Sequence, residues 1–537
     1  MYIATVPNRN SPPAILLRES FRRNGKVLTR TLANLTHWSP QRTEALRRAL
    51  KGQFDGLSDQ LQPTCGPVFG VLFALKQIAD RVGLSQVLGK ERLAKLALFL
   101  ILARVANQGS RLSAVRWAQS HAVAETLGLD RFDEEDLYGA LDWLAQRQEP
   151  IEKKLYRLYR NKQGGPPTVV LYDVTSSYLE GECNELAAFG YNRDKKAGKT
   201  QIVIGLLTAA EGEPLAVKVF CGNTADPVTV KEQVETLKSR FGIHEVVLVG
   251  DRGMVKSKGK KALAEANFKY ITALTDPQVR KLLKQGVIKL EDFEEKVHEV
   301  EHGSVRLVMR RSEAARLKEQ RRRQDKVEKL KELVVQRNAF VSESKRAEPQ
   351  VGLRTVRAWM RRHKLGGFVE VALQDRQLTL TIDERAQAQA AWLDGCCVLE
   401  TDVPSTALDA HTVYERYVDL HEVEQDFRTM KTTLLEVRPI FVRKAQRTRA
   451  HVLVTMLALK VVREMRRGLV AAFGTTEDNK MAVRVEEALM ELSRLCLLIY
   501  PAQGACVTRL PRPDERQAAI LQALGTPLPS QREVEKM

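Results

Sequence analysis

The stretch "VVLYDVTSSYLEG" (residues 169–181) decides how the chain is read. Val169, Val170 and Leu171 form a short apolar run behind the breakers Gly164, Gly165, Pro166 and Pro167, the pattern of a central strand. The run closes on Asp173. A carboxylate at the tip of a buried strand is held by rigid scaffold yet can face solvent, which suits a metal ligand. The commoner use of such an aspartate is in a turn or cap, and on this stretch alone that reading prevails.

A second stretch has the same form. "EVVLVGDRGM" (245–254) is an apolar run closed by Asp251, with Arg252 next. Two strand-end aspartates of one sheet can share a divalent cation if their strands are neighbours, and magnesium prefers oxygen ligands. Chance pairs are common enough to leave the two readings balanced. The third element is "YVDLHEVEQDFRTMKTTLLEVRP" (417–439), which fits one helix with an apolar stripe of Val423, Phe427, Met430 and Leu434. Tyr417, Glu424 and Lys431 recur every seven residues and are expected on one side of it, with Arg428 one turn beyond Glu424. A glutamate there can ligate metal, while lysine, arginine and tyrosine suit phosphate oxygens. Taken alone, the same residues describe an exposed Glu424–Arg428 pair.

Around these elements the chain changes texture. Residues 1–165 open with two strands over 14–35, joined at Asn24-Gly25, a preferred tight-turn pair. That ribbon carries Arg18, Arg22, Arg23, Lys26 and Arg30, and either lies on DNA or forms a solvated face. Helical spacing follows over 67–83, 89–107, 112–126 and 133–147. The region holds 25 Lys/Arg against 15 Asp/Glu, ten of the chain's net +19, and is the candidate DNA-binding region, with 111–129 the best candidate for a recognition helix.

Residues 166–275 read as strands, with one helix opening at Pro227 after "GNTAD" (222–226), where Asn223 and Thr224 are candidate caps. Early strands followed by alternation of helix and strand predict a mixed α/β sheet. Residues 276–399 look like an insertion with its own strands and a long charged helix at 313–337. Helices are expected from 410 to 431, at 450–467 (amphipathic), near 482–498, and at 514–524 behind Asp514.

Composition narrows the partner. A 537-residue chain with 28% charged residues, net charge +19 and pI about 9.6 is an ordinary globular composition with a basic excess, which favours nucleic acid over membrane. No apolar run approaches the ~20 residues of a membrane span. "MYIATVPNRN" has no signal-peptide core, so a cytoplasmic, nucleoid-associated protein is expected. The seven cysteines include no CxxC pair and are expected to be reduced packing residues.

Together these stretches resemble bacterial DDE insertion-sequence transposases, in the group typified by insertion sequence four. That group's signature is Tyr, two residues, Arg, three residues, Glu, six residues, Lys. Tyr417, Glu424 and Lys431 match it, whereas Leu420 stands at the Arg position, with Arg416 and Arg428 as candidate substitutes. "DRGM" (251–254) and residues 190–226 match further segments, and the resemblance is strong over 166–467.

The resemblance implies an RNase H-like core in two parts, 166–275 and 400–470, interrupted by the β-rich insertion 276–399 and followed by a helical region 471–537. It implies that Asp173, Asp251 and Glu424 hold two Mg²⁺ ions, with Mn²⁺ as a substitute, for cleavage at the element's ends and strand transfer into target DNA. Arg252, Tyr417, Arg428, Lys431, Arg443 and Lys444 are then expected on DNA, with Arg18, Arg22 and Arg23 of the ribbon. The implied partners are terminal inverted repeats, target DNA and a second copy of the chain in the DNA complex. A tryptophan of the insertion, Trp359 or Trp392, is the candidate to hold a flipped base, although both read more readily as core. The alternatives are a DNA-binding repressor that no longer cuts and an RNase H-like nuclease without strand transfer.

Overall fold

The computed structural model describes all residues except 10–11, 24, 54–62, 195, 253, 345, 432–433, 439, 478–479, 503–504 and 531–537. They form two compact units: residues 1–74 with 118–128 and 487–537, and residues 75–117 with 129–486. The division differs from a boundary at 165. Helices Arg92–Ala106 and Glu134–Gln163 belong with the second unit, where both pack on helix Ala445–Phe473. The reason lies in that last helix. It is buried without a break from Ala450 to Val462, so it is not the amphipathic helix expected at 450–467 and needs neighbours on every side.

In the first unit, strands β1 (Tyr2–Val6), β2 (Ala14–Arg23) and β3 (Lys26–Asn34) form an antiparallel sheet. The β2–β3 hairpin is the expected one; Gly25 takes φ 76°, and Asn24 lies outside the described residues. Strand β4 (Thr64–Val68) pairs with β15 (Cys496–Ala502), which pairs with β16 (Ala505–Arg509). The tail is therefore not wholly helical: the helix near 482–498 stops at Leu492, and a strand follows. Helix Glu515–Ala523 opens as expected, with the Gln517 N–H donating to Asp514 Oδ1 at 2.8 Å.

The second unit is built on one eight-stranded sheet. Strands β5 (Val169–Tyr178), β6 (Gln201–Ala209) and β7 (Pro214–Cys221) run antiparallel, and β8 (Val247–Gly250) and β9 (Lys269–Ala273) run parallel to β5. The order β7-β6-β5-β8-β9 is the RNase H-like arrangement. Strand β6 is buried at every position and β5 at all but two, as expected of a sheet covered on both faces. At the β7 edge, the Gln148 side chain donates to the Val217 carbonyl at 2.8 Å, and Glu152, fully buried and ion-paired to Arg240, accepts from the Val217 N–H at 3.3 Å. Side chains of helix Glu134–Gln163 thus occupy backbone groups that an edge strand would leave open.

Helix Asp226–Glu235 links β7 to β8. Its N-cap is Ala225, so Asn223 and Thr224 do not cap it; Asp226, its first residue, holds Arg193 at 2.7 Å instead.

The stretch 276–399 is only partly a separate body. Its strands β10 (His298–His302), β11 (Val305–Arg311) and β14 (Cys396–Thr401) continue the core sheet beyond β9. A second hydrophobic core lies between them in sequence, made by helices Glu313–Glu343 and Pro349–His363 and the hairpin β12 (Val369–Gln374)–β13 (Gln377–Ile382). Trp359 packs against that core and stacks on His363 with ring centroids 3.9 Å apart. Trp392 does not behave as core: it is 48% exposed. Cys65, Cys183 and Cys221 are exposed as well, contrary to a packing role for every cysteine.

Candidate active site

The parallel register of β5 and β8 creates the site. Val169 to Tyr172 pair with Val247 to Gly250, and the next residues on the two chains are Asp173 and Asp251. Asp173 does not end its strand, which runs five residues further and pairs with β6 alone to Tyr178. It marks the point where β8 stops and the face of β5 opens. Both aspartates bond locally, Asp173 Oδ1 accepting from the Val174 N–H and Asp251 Oδ1 from the Arg252 N–H, each at 2.7 Å.

Helix Leu420–Lys431 packs on β5 and supplies the third carboxylate. Leu420, Val423, Phe427 and Met430 are buried, and Glu424 and Arg428 lie exposed on the flank of that stripe, beside the opening over β5. The helix is fastened from behind: Arg463 reaches Asp426 at 2.8 Å and Arg466 reaches Thr429 at 2.9 Å, both from helix Ala445–Phe473. Tyr417 is not on this helix. It belongs to helix Ala410–Val418, and the two meet at Asp419, so the heptad spacing does not set its position. The Tyr417 hydroxyl donates to Asp251 Oδ1 at 3.4 Å, and burial and then Asp251 hold its pKa above the usual tyrosine range.

Asp173, Asp251 and Glu424 line two clefts at once. One, of about 410 Å³, is completed by Arg193, Asp194, Asp226, Arg428, Lys431 and Arg438 among others. The other, of about 220 Å³, is walled by Cys397, Tyr414, Tyr417, Leu420 and His421. The larger cleft thus sets the cations Arg193, Arg428, Lys431 and Arg438 and the further aspartates Asp194 and Asp226 beside the three carboxylates, and the smaller one sets Tyr414 and Tyr417 beside them. Burial, and then the charges of Asp251 and Glu424, push the Asp173 carboxyl up to about 7, against the Val174 N–H and Arg193. Among the described residues no three His, Cys, Asp or Glu side chains close on one point as a finished metal cage.

The remaining expected residues fall in different places. Lys431 lines the larger cleft, 2.6 Å from Asp194 and 3.1 Å from the Thr175 hydroxyl, and Arg428 lines it too. Arg252 is exposed beside the site, 4.0 Å from Asp251 and 3.9 Å from Asp276. Leu420 is buried, and Arg416 is engaged with Asp419 at 2.8 Å. Arg443 and Lys444 are exposed where helix Ala445–Phe473 begins and line neither cleft. Arg18, Arg22 and Arg23 lie on β2 of the first unit. Sequence reasoning missed Arg193, Asp194, Asp226 and Arg438; the signal available was "NRD" (192–194), an adjacent cation and carboxylate in a loop that already resembled the family.

Comparison with known proteins gives the family. Residues 164–460 match the family model for the transposase DDE domain. Residues 3–64 match the N-terminal domain of IS1634 family transposases, which directs the likeness to that group rather than to the one typified by insertion sequence four. No curated protein matches. A solved chain from a piggyBac transposase synaptic complex with hairpin DNA is 10% identical, with 81% of this chain and 82% of that chain covered at a TM-score of 0.36, too remote a likeness to carry any residue's role. With more than half its length matched by the transposase domain, the chain belongs to the DDE transposase family.

Proposed function

We propose that Asp173, Asp251 and Glu424 are the catalytic carboxylates of a metal-dependent transposase that cleaves at insertion-sequence ends and joins them to target DNA. The observation that carries the reading is their convergence: two aspartates at matching positions just past the last pair of two parallel strands, and a glutamate on the helix packed on β5, all lining the same two clefts. Three carboxylates are hard oxygen donors suited to Mg²⁺, or Mn²⁺ in its place. Burial first, and then the neighbouring carboxylates Asp251 and Glu424, disfavour the charged form of Asp173, and a divalent cation bound there would favour it. Bound there, such ions supply activation of the attacking oxygen and stabilisation of the leaving one.

The chain's own cations do the positioning. Lys431, Arg428 and Arg193 face the larger cleft and can take the non-bridging oxygens of a phosphodiester. Tyr417, in the smaller cleft, directs its hydroxyl at Asp251 and keeps its proton. The net charge of +19 favours a long DNA partner. The ligands proposed are terminal inverted repeats and target DNA, with two copies of the chain bridging paired ends.

The deciding experiment is cleavage of a labelled duplex bearing the element's own ends, with Mg²⁺, by the parent chain and by Glu424→Gln. Cleavage by the parent alone, with end binding kept by both, supports the triad, and a joined product in the same reaction supports strand transfer. Equal cutting by both proteins sinks the assignment. Binding without cutting by either favours a repressor.

A further inference from the structure

Residues 186–199 link β5 to β6 beside the larger cleft and carry the two most exposed large hydrophobic side chains among the described residues, Phe189 at 70% and Tyr191 at 82%. The backbone beneath them is fixed. Ala188 and Gln201 exchange two hydrogen bonds, at 3.2 and 3.0 Å, and the Gly222 N–H donates to the Leu186 carbonyl at 3.1 Å. The Gln201 side chain donates to the carbonyls of Tyr191 at 3.2 Å and Gly222 at 2.8 Å. Between the two rings, Gly190 sits so tightly that a Cβ there would lie 2.1 Å from the Gly222 carbonyl oxygen. A pinned segment that keeps both aromatic rings in water costs free energy unless something covers them.

The surroundings say what covers them. The Arg193 guanidinium lies 5.7 Å from the centre of the Tyr191 ring, is anchored by Asp226 at 2.7 Å, and lines the cleft that contains Asp173. Lys196 and Arg438 lie over the Tyr178 ring, 5.9 and 4.4 Å from its centre, and Arg438 lines the same cleft. Lys196 and Lys199 are exposed along the loop. Exposed rings interleaved with cations, continuous with a phosphate-binding cleft, have the composition of a platform for unpaired nucleic-acid bases, in which rings stack on bases and cations follow the backbone. An apolar protein partner would not call for this density of positive charge.

We propose that Phe189 and Tyr191 stack on unpaired bases of the DNA strand whose backbone enters the larger cleft. The loop holds a melted DNA end in place while the phosphodiester lies at the carboxylates. This rests on the transposase reading of that cleft, and the test separates the two.

The full-length chain is titrated with a short single-stranded oligothymidylate containing one 5-iododeoxyuridine, and with the matching duplex, for the parent and for the double variant Phe189→Ala/Tyr191→Ala. The expected result is a loss of single-strand affinity on the order of tenfold or more, duplex binding much less affected, and photocross-links in the parent that map to Phe189 or Tyr191. The thermal midpoint should not move, because both side chains are exposed. Equal single-strand affinity of parent and variant overturns the platform. So does a fall in apparent mass of the variant without loss of DNA binding, which assigns the patch to a contact between copies. Metal-dependent nicking by the parent is scored separately: nicking without a single-strand defect in the variant leaves the transposase reading intact and removes the platform. The defect without nicking by the parent does the reverse.

Discussion

Lys431 Nζ lies 2.6 Å from Asp194 Oδ1, with both side chains nearly out of solvent at 13% and 11% exposure. The other carboxylate oxygen accepts the Tyr178 N–H at 3.2 Å, and Arg438 approaches it at 3.8 Å. One loop aspartate thus ties the last residue of the signature helix to β5 and sets where its charge stands in the larger cleft.

Asp194→Asn keeps an acceptor for Tyr178 but removes the countercharge of a nearly buried lysine. Breaking such a pair leaves an uncompensated charge, and the expected loss is about 1–3 kcal/mol of unfolding free energy, read as a lower urea midpoint. Nicking should fall with it. A variant as stable and as active as the parent removes Asp194 from the site's support.

Asp173→Asn should stabilise the metal-free protein. The folded carboxyl is raised to about 7 from an ordinary value of 3.8, so between those values the folded state holds a proton that the unfolded state has lost. The group therefore favours folding relatively in acid, and its full cost is present at pH 8, where it is ionised in both states. The neutral amide removes that cost, for an expected gain of about 1–3 kcal/mol at pH 8 in EDTA that shrinks as pH falls toward 4. The parent should gain in thermal midpoint with Mn²⁺, and the same variant should lose that gain. A lower midpoint than the parent in EDTA contradicts this account.

Leu420→Arg restores, on paper, the signature of the group typified by insertion sequence four and should fail in practice. Leu420 is 7% exposed at the start of its helix, and an arginine there either buries its charge or displaces the helix that carries Glu424. The expected outcome is a thermal midpoint lower by several degrees and weaker nicking. Unchanged stability with increased end binding would instead show that the position still faces phosphate.

His451 should make stability fall in mild acid. Its Nδ1 meets the Arg111 guanidinium at 2.5 Å and its Nε2 the Val437 carbonyl at 2.8 Å, while Arg104 donates to the Glu436 carbonyl at 3.3 Å. These groups hold the turn after the signature helix, where Glu436 takes φ 39°. Burial, then Arg111 and Arg104, keep the His451 pKa well below the ordinary 6.5. The unfolded chain gains a proton below about 6.5 that the folded chain refuses, so stability drops as pH falls, by up to about 1.4 kcal/mol per pH unit. Urea midpoints from pH 7 to 5 should show a steeper fall for the parent than for His451→Gln, and parallel curves would falsify the assignment.

By itself the sequence determined what depends on neighbours along the chain. Apolar runs at 169–171 and 246–249 became the paired strands β5 and β8, because a sheet covered on both faces demands continuous hydrophobic residues. Val423, Phe427 and Met430 are buried as their spacing predicts, whereas Leu434 is buried in the turn beyond the helix, which ends at Lys431; the Asp514 cap formed where local chemistry called for it. The strand-end runs singled out Asp173 and Asp251 and the helix pattern Glu424, and these three side chains line the same two clefts.

Tertiary structure decided the rest. Nothing in the spacing of residues 417–431 reveals that the helix breaks at Asp419, because the break serves contacts on either side of it. Strands β10, β11 and β14 join the core sheet through hydrogen bonds that no periodicity encodes. The pairing of Lys431 with Asp194, the burial of Leu420 and the exposure of Trp392, Phe189 and Tyr191 each depend on which distant segment arrives or fails to arrive. Periodicity fixes which side of an element turns inward; only the packed sheet and helices fix what each side meets.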